Sequence, residues 1–367
     1  MTIPYFSLQL AQEKLRETWT KAIRDVIESG IVINGNSVAK FEESWSKAIG
    51  TEFAVGVSNG LDGLVLSLIS LGIGPGSNVA VPAHTFIATW NAIYEVGANA
   101  IGVDVNELGL LDTENLEITC IENKIDCVIP VHMHGQTCDM DSIRDLSKKY
   151  QFKIIEDASQ AHLASFNGKY AGSFGHVSVF SLYPTKNLGA LGDAGIVCTN
   201  SKEISDRIKS LRNYGSTSEN KYLHSELGKN NRLDEIQAAI LNVNLPFLPE
   251  WNEHRRKLAK IYYEGLKEIN QITIPHQFNA ENVYHHFWVL SENRDLLKLR
   301  LINEGVITEV HYPLSAAMEY QKITNKKTTL FTSAEKISSK TLSLPISQWH
   351  SETMIYEVLK KIKNVSK

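Results

Sequence analysis

Cysteine is scarce in this chain, with four among 367 residues. Cys120, Cys127, Cys138 and Cys198 are scattered and form no CxxC spacing. That excludes a disulfide scaffold and a thiolate metal knuckle, and leaves reduced, mostly core thiols. Apolar runs are short as well. None approaches the about 20 residues that a helix needs to cross a bilayer. An excess of one charge is also lacking: 37 Lys and Arg stand against 41 Asp and Glu, a net charge of −4. With no basic run and no acidic tail, nothing invites nucleic acid or an anionic membrane. The opening Met1-Thr-Ile-Pro-Tyr5 has neither a basic nor an apolar leader region, so no secretory signal is expected and the implied location is cytoplasmic. The histidines include His132-Met133-His134 and His285-His286, but neither pair has HExxH or zinc-finger spacing, so no metal site is expected. A P-loop is absent. The glycine cluster Gly72-Ile73-Gly74-Pro75-Gly76 lacks GxGxxG spacing and follows a helix, so it reads as a helix stop and turn rather than an NAD fingerprint.

What is present is a layered α/β chain. With 43% hydrophobic and 21% charged residues, the balance is that of a globular protein. The length suits one large domain and a smaller one. A first helix is expected over residues 11–29, where Leu15, Trp19, Ile23, Val26 and Ile27 share a face and Gly30 stops the turn. Short apolar, β-branched runs at 53–57, 78–81, 100–103, 127–131, 153–155, 176–181 and 195–199 read as buried strands of a mostly parallel sheet flanked by helices. A helix over 61–71 is one of those between them. The pattern changes near Leu245-Pro246-Phe247-Leu248-Pro249. We therefore expect a large domain over 1–245 and a smaller α+β domain over 246–367, with a long helix from about Glu250 and a last one carrying Ile355, Val358, Leu359 and Ile362.

Three local signals carry chemistry. Strand 53–57 runs through Ser58-Asn59-Gly60 into a helix, and free N–H groups at a helix start make an anion cradle that glycine lets a phosphate approach. Ser58 or Asn59 is also an ordinary N-cap. Second, Ile154-Ile155-Glu156-Asp157-Ala158 places a carboxylate at the end of a buried strand, where an unpaired charge is costly. A salt bridge or cap is the plain answer; a protonated pyridine nitrogen is the functional one. Third, Lys186 follows a strand and precedes a glycine-rich stretch ending at Gly195. Most lysines are surface lysines. One desolvated among apolar neighbours has a lowered pKa and forms Schiff bases.

Along nearly its whole length the chain resembles the DegT/DnrJ/EryC1/StrS sugar aminotransferases, fold type I enzymes that use pyridoxal 5'-phosphate (PLP). The resemblance lies in Phe41-Glu42, Val57-Ser-Asn-Gly60, Val81-Pro-Ala-His-Thr-Phe86, His134-Gly-Gln-Thr-Cys-Asp-Met140, Glu156-Asp-Ala-Ser-Gln-Ala-His162, the Lys186 segment, Asn230-Asn-Arg232-Leu-Asp-Glu-Ile-Gln237 and His311-Tyr-Pro313, in the family's order. It implies that Lys186 holds PLP as a Schiff base and moves the proton. Asp157 would meet the pyridine nitrogen, Gln160 the ring's 3-oxygen and Phe86 the ring face. Ser181 and the backbone around Gly60, Leu61 and Asp62 would hold the phosphate. Asn230 would reach that phosphate from the other subunit of a homodimer. Arg232 would approach the sugar-nucleotide diphosphate, while Tyr183, His311 and Tyr312 would line the sugar pocket. His162 is expected behind these groups.

The reaction so implied is a two-half transamination. L-glutamate would convert PLP to its pyridoxamine form (PMP), and a nucleotide-linked keto-sugar would take the nitrogen. The stretch from Lys186 to Gly-Asp193-Ala-Gly195 and Ser58-Asn-Gly-Leu-Asp62 are similar to the C-3 group of the family. They favour a dTDP-3-oxo-6-deoxyhexose and a 3-amino-3,6-dideoxy sugar for surface glycans such as O-antigen or S-layer glycan. C-4 amination and UDP-linked 3-oxo sugar acids are the alternatives. Lys186 argues against the family's dehydrating branch, which carries histidine there. A sensor that binds without turnover and an NAD dehydrogenase are weaker readings. After His311-Tyr312-Pro313, many relatives continue with a proline pair and a histidine; here Leu314-Ser-Ala-Ala-Met318 follows, which bears on sugar specificity.

Overall fold

The computed structural model describes residues 2–216, 222–325 and 329–366. The chain opens with α1 (Leu8–Ser29) and α2 (Asn36–Ile49). Strands and helices then alternate: β1 (Phe53–Val57), α3 (Gly60–Ser70), β2 (Asn78–Pro82), α4 (Ile87–Glu95), β3 (Asn99–Val103), α5 (Thr113–Glu122), β4 (Cys127–Val128), α6 (Met140–Tyr150) and β5 (Lys153–Asp157). A small hairpin, β6 (Ser165–Phe166) and β7 (Lys169–Tyr170), leads into β8 (Val177–Ser181) and β9 (Gly195–Thr199). Helices α7 (Lys202–Leu211) and α8 (Glu235–Asn244) follow. Seven strands form one sheet in the order β1-β9-β8-β5-β4-β2-β3. Neighbours from β3 to β8 pair in parallel, whereas β9 pairs antiparallel with both β8 and β1.

Side-chain alternation builds two cores from these strands. Val55, Val57, Ile155, Val177, Val179 and Val197 face one side, against Leu64 and Leu68 of α3 and Trp90 of α4. Ala54, Phe180, Ile196 and Cys198 face the other, against Phe41 and Trp45 of α2 and Leu241 of α8. Nearly all these side chains are fully buried, and each Val, Leu, Ile or Phe among them is worth about 1.5–3 kcal/mol by its transfer from water. The boundaries follow local chemistry. Gly30, at φ 68°, closes α1 as its sequence position implies. The Gly72–Gly76 stretch is a turn, with both end glycines at positive φ. The expected strand at 127–131 shrinks to two residues because Pro130 has no N–H for the ladder, although its carbonyl still accepts from Asp157 N at 2.9 Å. Strand β5, by contrast, runs two residues past the expected end, to Asp157.

The C-terminal part holds α9 (Leu248–Leu266), β10 (Phe287–Leu290), α10 (Arg294–Asn303), α11 (Ala316–Thr324), α12 (Thr332–Lys340), β11 (Thr341–Leu344) and α13 (Glu352–Val365). Strands β10 and β11 pair antiparallel under α9 and α13, with Leu258, Tyr262, Phe287, Leu344, Ile355 and Ile362 in their core. Packing does not divide at one chain position near 246. Leu248 and Trp251 of α9 lie in the core beneath α2, while Leu258 to Leu266 lie in the C-terminal core. Ile3 joins that same C-terminal core and bridges Val306. Ala316, Tyr320, Phe331 and Ile337 return to the large sheet beside Trp90. A boundary read from the order of elements along the chain does not register such exchanges.

Strand alternation also sends Glu156 and Asp157 to opposite faces. Glu156 is sealed from solvent and accepts from Gly172 N (2.7 Å), Phe174 N (2.7 Å), Gly175 N (2.6 Å) and His132 Nε2 (3.0 Å). Removing that carboxylate would strand three backbone donors and an imidazole. Glu156→Ala should therefore lower stability by about 3 kcal/mol, read as a lower urea midpoint at unchanged slope. An unchanged midpoint would show that the loop at 172–175 finds other partners.

Candidate active site

The carboxyl ends of β5 and β8 and the N-termini of α3 and α4 converge on a cavity of about 540 Å³. Open sheets of this kind receive ligands at that edge. Asp157 reaches it from the end of β5 and is 5% exposed. Thr89 Oγ1, in the first turns of α4, donates to Asp157 Oδ2 at 2.8 Å, and Ser159 N donates to Oδ1 at 3.2 Å. Among the described residues no Lys, Arg or His forms an ion pair with it. A buried carboxylate left without a cation is costly unless a ligand supplies one.

Lys186 lies on the connection after β8. Its neighbours fix it there. Leu182 and Leu188 are buried in the core facing α2, and Asn187, fully buried, donates through Nδ2 to Asn252 Oδ1 (2.9 Å) and the Val283 carbonyl (3.0 Å). The loop folds back so tightly that a Cβ on Gly189 would lie 2.6 Å from the Pro184 carbonyl oxygen. Lys186, half-buried between these anchors, lines the cavity, and its amine has no hydrogen-bond or ion-pair partner among the described residues. Burial pushes its pKa down from 10.5 to about 8, although the Asp157 carboxylate pulls the other way. A substantial fraction of the amine is thus neutral near physiological pH, as a nucleophile requires.

At the start of α3, Asn59 Oδ1 caps the helix by accepting from Asp62 N at 2.9 Å. Gly60 and Leu61 line the cavity, and neither N–H is taken by a protein acceptor among the described residues. A Cβ on Gly60 would come within 3.0 Å of Ser181 Cβ, so the close approach of α3 to the end of β8 depends on glycine. Asp62 departs from expectation. Its N–H is spent on the cap and its carboxylate is held by Ser58 and by Asn59 Nδ2 at 2.7 Å, so it does not line the cavity.

Gln160 Oε1 accepts from His134 N at 2.6 Å, and its Nε2 donates to the Tyr312 hydroxyl at 3.3 Å. Phe86, which reads as core without the family resemblance, is 53% exposed on the cavity wall, with its ring 5.4 Å from that of Tyr312. Tyr183, Ser181 and His311 line the same cavity. His162 sits behind it, with Nε2 on the Ser181 carbonyl at 2.9 Å; burial and the nearby Lys186 charge hold it down to about 3, so it stays neutral. Two further expected residues lie outside the cavity. Asn230 is exposed beyond it, and Arg232 is engaged by Asn213 Oδ1 (2.8 Å) and the Tyr214 ring. Residues 314–318 pass from the cavity edge into α11, where Ser315 Oγ accepts from Met318 N at 3.1 Å and binds Glu335.

Sequence reasoning missed Thr89, His285 and His286, all of which border the cavity. Thr89 was open to discovery: it stands three residues after Phe86, so a helix starting there puts both on one side. The histidine pair comes from the C-terminal part, and no local signal ties it to this edge.

Pyridoxal phosphate fits what the cavity offers: two free N–H groups with a hydroxyl for a phosphate, a carboxylate lacking a cation for a pyridinium, and an amine of lowered pKa for the aldehyde.

The model of the DegT/DnrJ/EryC1/StrS aminotransferase family matches residues 13–363. The chain is 39% identical to a dTDP-3-amino-3,4,6-trideoxy-alpha-D-glucose transaminase of Streptomyces venezuelae, over 94% of this chain and 91% of the relative. It is 38% identical to a dTDP-3-amino-3,6-dideoxy-alpha-D-galactopyranose transaminase of Aneurinibacillus thermoaerophilus, over 98% of both. Among solved structures, S. venezuelae DesV in complex with a ketimine intermediate superposes with a TM-score of 0.95 at 37% identity, covering 100% of this chain and 99% of that one.

With the Lys186 amine near 8, the rate at which the cofactor-free protein captures pyridoxal phosphate should rise with pH up to about 8 and then level off. An ordinary lysine would keep gaining to about 10.5, and stopped-flow absorbance separates the two curves.

Proposed function

The chain belongs to the DegT/DnrJ/EryC1/StrS aminotransferase family, and on that footing we propose that it moves the amino group of L-glutamate to C-3 of a dTDP-3-oxo-6-deoxyhexose. The observation that carries this reading is one cavity holding both a buried carboxylate without a cation, Asp157, and an amine depressed towards neutrality, Lys186. Bound there, pyridoxal phosphate supplies an electron sink for the charge that develops when the substrate carbon loses its proton.

The chain's own groups do the rest. Lys186 Nζ takes that proton from one carbon and returns it to another. Asp157 would hold the pyridine N–H, with Thr89 and the Ser159 N–H fixing the carboxylate's orientation. The N–H groups of Gly60 and Leu61 and the Ser181 hydroxyl would bind the phosphate. Gln160, aimed by the His134 N–H, would meet the ring oxygen. Phe86 would cover the ring face and exclude water. Tyr183, His311 and Tyr312 would line the sugar side.

The regiochemistry is supported by the two relatives, both described as 3-amino-sugar transaminases, and by Asp193 of the Gly-Asp-Ala-Gly segment, which lines the cavity. A homodimer is supported by Asn230 and Arg232, both of which lie outside the protomer's own cavity. In such a dimer the partner's copy of each would complete the site, Asn230 on the phosphate and Arg232 on the sugar-nucleotide diphosphate. We place the enzyme in the cytoplasm, making amino sugars for surface glycans. No helix among the described residues is long and apolar enough to cross a membrane.

Turnover with pyridoxal phosphate, glutamate and a panel of 3-keto and 4-keto nucleotide sugars tests the reading, with the new amine located by NMR. Nitrogen at C-3 of a dTDP-6-deoxyhexose is expected. Nitrogen at C-4 would keep the chemistry and overturn the regiochemistry.

A further inference from the structure

Three imidazoles line the cavity that the assigned roles leave largely unused: His285, His286 and His311. The His286 and His311 rings stack with centroids 3.8 Å apart and 15° between planes, and His285 lies 4.1 Å from His286. Among the described residues no three His, Cys, Asp or Glu are placed to hold a metal. Each ring is tied at Nδ1: His285 to Asn187 Oδ1 (3.1 Å), His286 to the Tyr5 hydroxyl (2.5 Å) and His311 to Ser343 Oγ (2.9 Å). No protein partner for any of the three Nε2 atoms is found among the described residues, and none of the three is sealed without solvent. Their Nε2 edges therefore open on the cavity.

The chemistry of the tying groups bears on where the protons sit. Asn187 Nδ2 donates to two acceptors, so its Oδ1 accepts and His285 carries its proton on Nδ1. Nε2 of His285 is then a bare acceptor. A phenol is the better donor and an imidazole nitrogen the better acceptor, so Tyr5 donates to His286 Nδ1. His286 thus presents Nε2–H, while the Ser343 hydroxyl can give or accept at His311 Nδ1. Burial pushes the Tyr5 phenol far up, so it remains a donor, and burial with the neighbouring imidazoles pushes His286 well below its ordinary value, so it stays neutral.

We propose that Tyr5 and His286 make this wall a reader of adjacent hydroxyls on the hexose ring, with His286 Nε2–H donating to one ring substituent while His285 Nε2 accepts from its neighbour. The proposal rests on the nucleotide-sugar reading above. The donor–acceptor order suits hydroxyls, which both give and accept. It does not suit the carboxylates of glutamate, which only accept and would face the His285 lone pair. Tyr5 is a positioning residue, since it acts through the tautomer of His286. It arrives from the N-terminal segment, where Ile3 bridges Val306 and the Pro4 carbonyl meets His350 Nε2 at 2.8 Å, so the start of the chain is tied to the C-terminal core beside the pocket.

The test separates the two half-reactions in the cofactor-loaded enzyme, each followed by cofactor absorbance. In His286→Leu the sugar half-reaction should lose about tenfold in kcat/KM, mostly through KM, the loss expected for one hydrogen bond. The glutamate half-reaction should fall far less, and it reports folding and cofactor loading. His286→Gln, which keeps an N–H donor, should recover part of the loss. Tyr5→Phe should show a smaller loss in the same half-reaction. Long-range proton–nitrogen NMR of the cofactor-free protein should find His286 protonated on Nε2, and a mixture of tautomers in Tyr5→Phe. Equal losses in both half-reactions, no loss in either, or an Nδ1-protonated His286 overturns the proposal alone. Wild-type enzyme that reacts with glutamate and with no keto-sugar overturns the nucleotide-sugar reading, and this proposal with it.

Discussion

Asp157 ends β5 with its carboxylate buried, held by Thr89 Oγ1 and the Ser159 N–H, and among the described residues no cation forms an ion pair with it. Two neutral donors ease such a charge without cancelling it. The sheet brings it there through alternation. Ile155 and Asp157 face α3 and α4, while Glu156 turns to the other side and is consumed by the 172–175 loop. The same edge carries the loop that directs Lys186 inward. Had Lys186 formed an ion pair with Asp157, both would be spent on structure. Instead burial keeps the lysine near neutrality and leaves the carboxylate for a positively charged ring nitrogen.

Several other groups around the pocket are held uncharged. His162 behind Ser181 and His311 on the sugar side are both held near 3, chiefly by burial. The Tyr312 phenol is pushed upward by burial and by the Asp157 charge. Neutral dipoles thus lie around the Asp157 carboxylate and the Lys186 amine, with Asp193 a second carboxylate on the cavity lining. That arrangement suits a substrate rich in hydroxyls and a reaction whose charge is carried by the cofactor.

Much of this was legible in the sequence, because the informative signals were local. Strand runs bounded by glycine and the helix start after Asn59 follow from short-range sterics and hydrogen bonding. Asp157 and Lys186 could be singled out because each sat where a charged side chain needs a reason. What escaped was long-range. Thr89 gains its role only once α4 lies beside β5. His286 reaches the pocket from 100 residues beyond Lys186, and Tyr5 joins it across 281 positions. Asp62 shows the opposite failing. At a position assigned to the phosphate cradle by resemblance, the backbone N–H donates to the Asn59 cap, and the carboxylate accepts from the Ser58 and Asn59 side chains. The exchange between cores escaped for a related reason, since a boundary drawn along the chain does not register the N-terminus and α11 crossing between them.

The central claim is that Lys186 is the lysine this pocket keeps reactive. Borohydride reduction of the protein loaded with pyridoxal phosphate, followed by proteolysis and mass spectrometry, tests it most directly. A single pyridoxyl label on the peptide bearing Lys186 is the predicted result. A label on another lysine, or an unlabelled Lys186 peptide from protein that has bound the cofactor, would contradict the account.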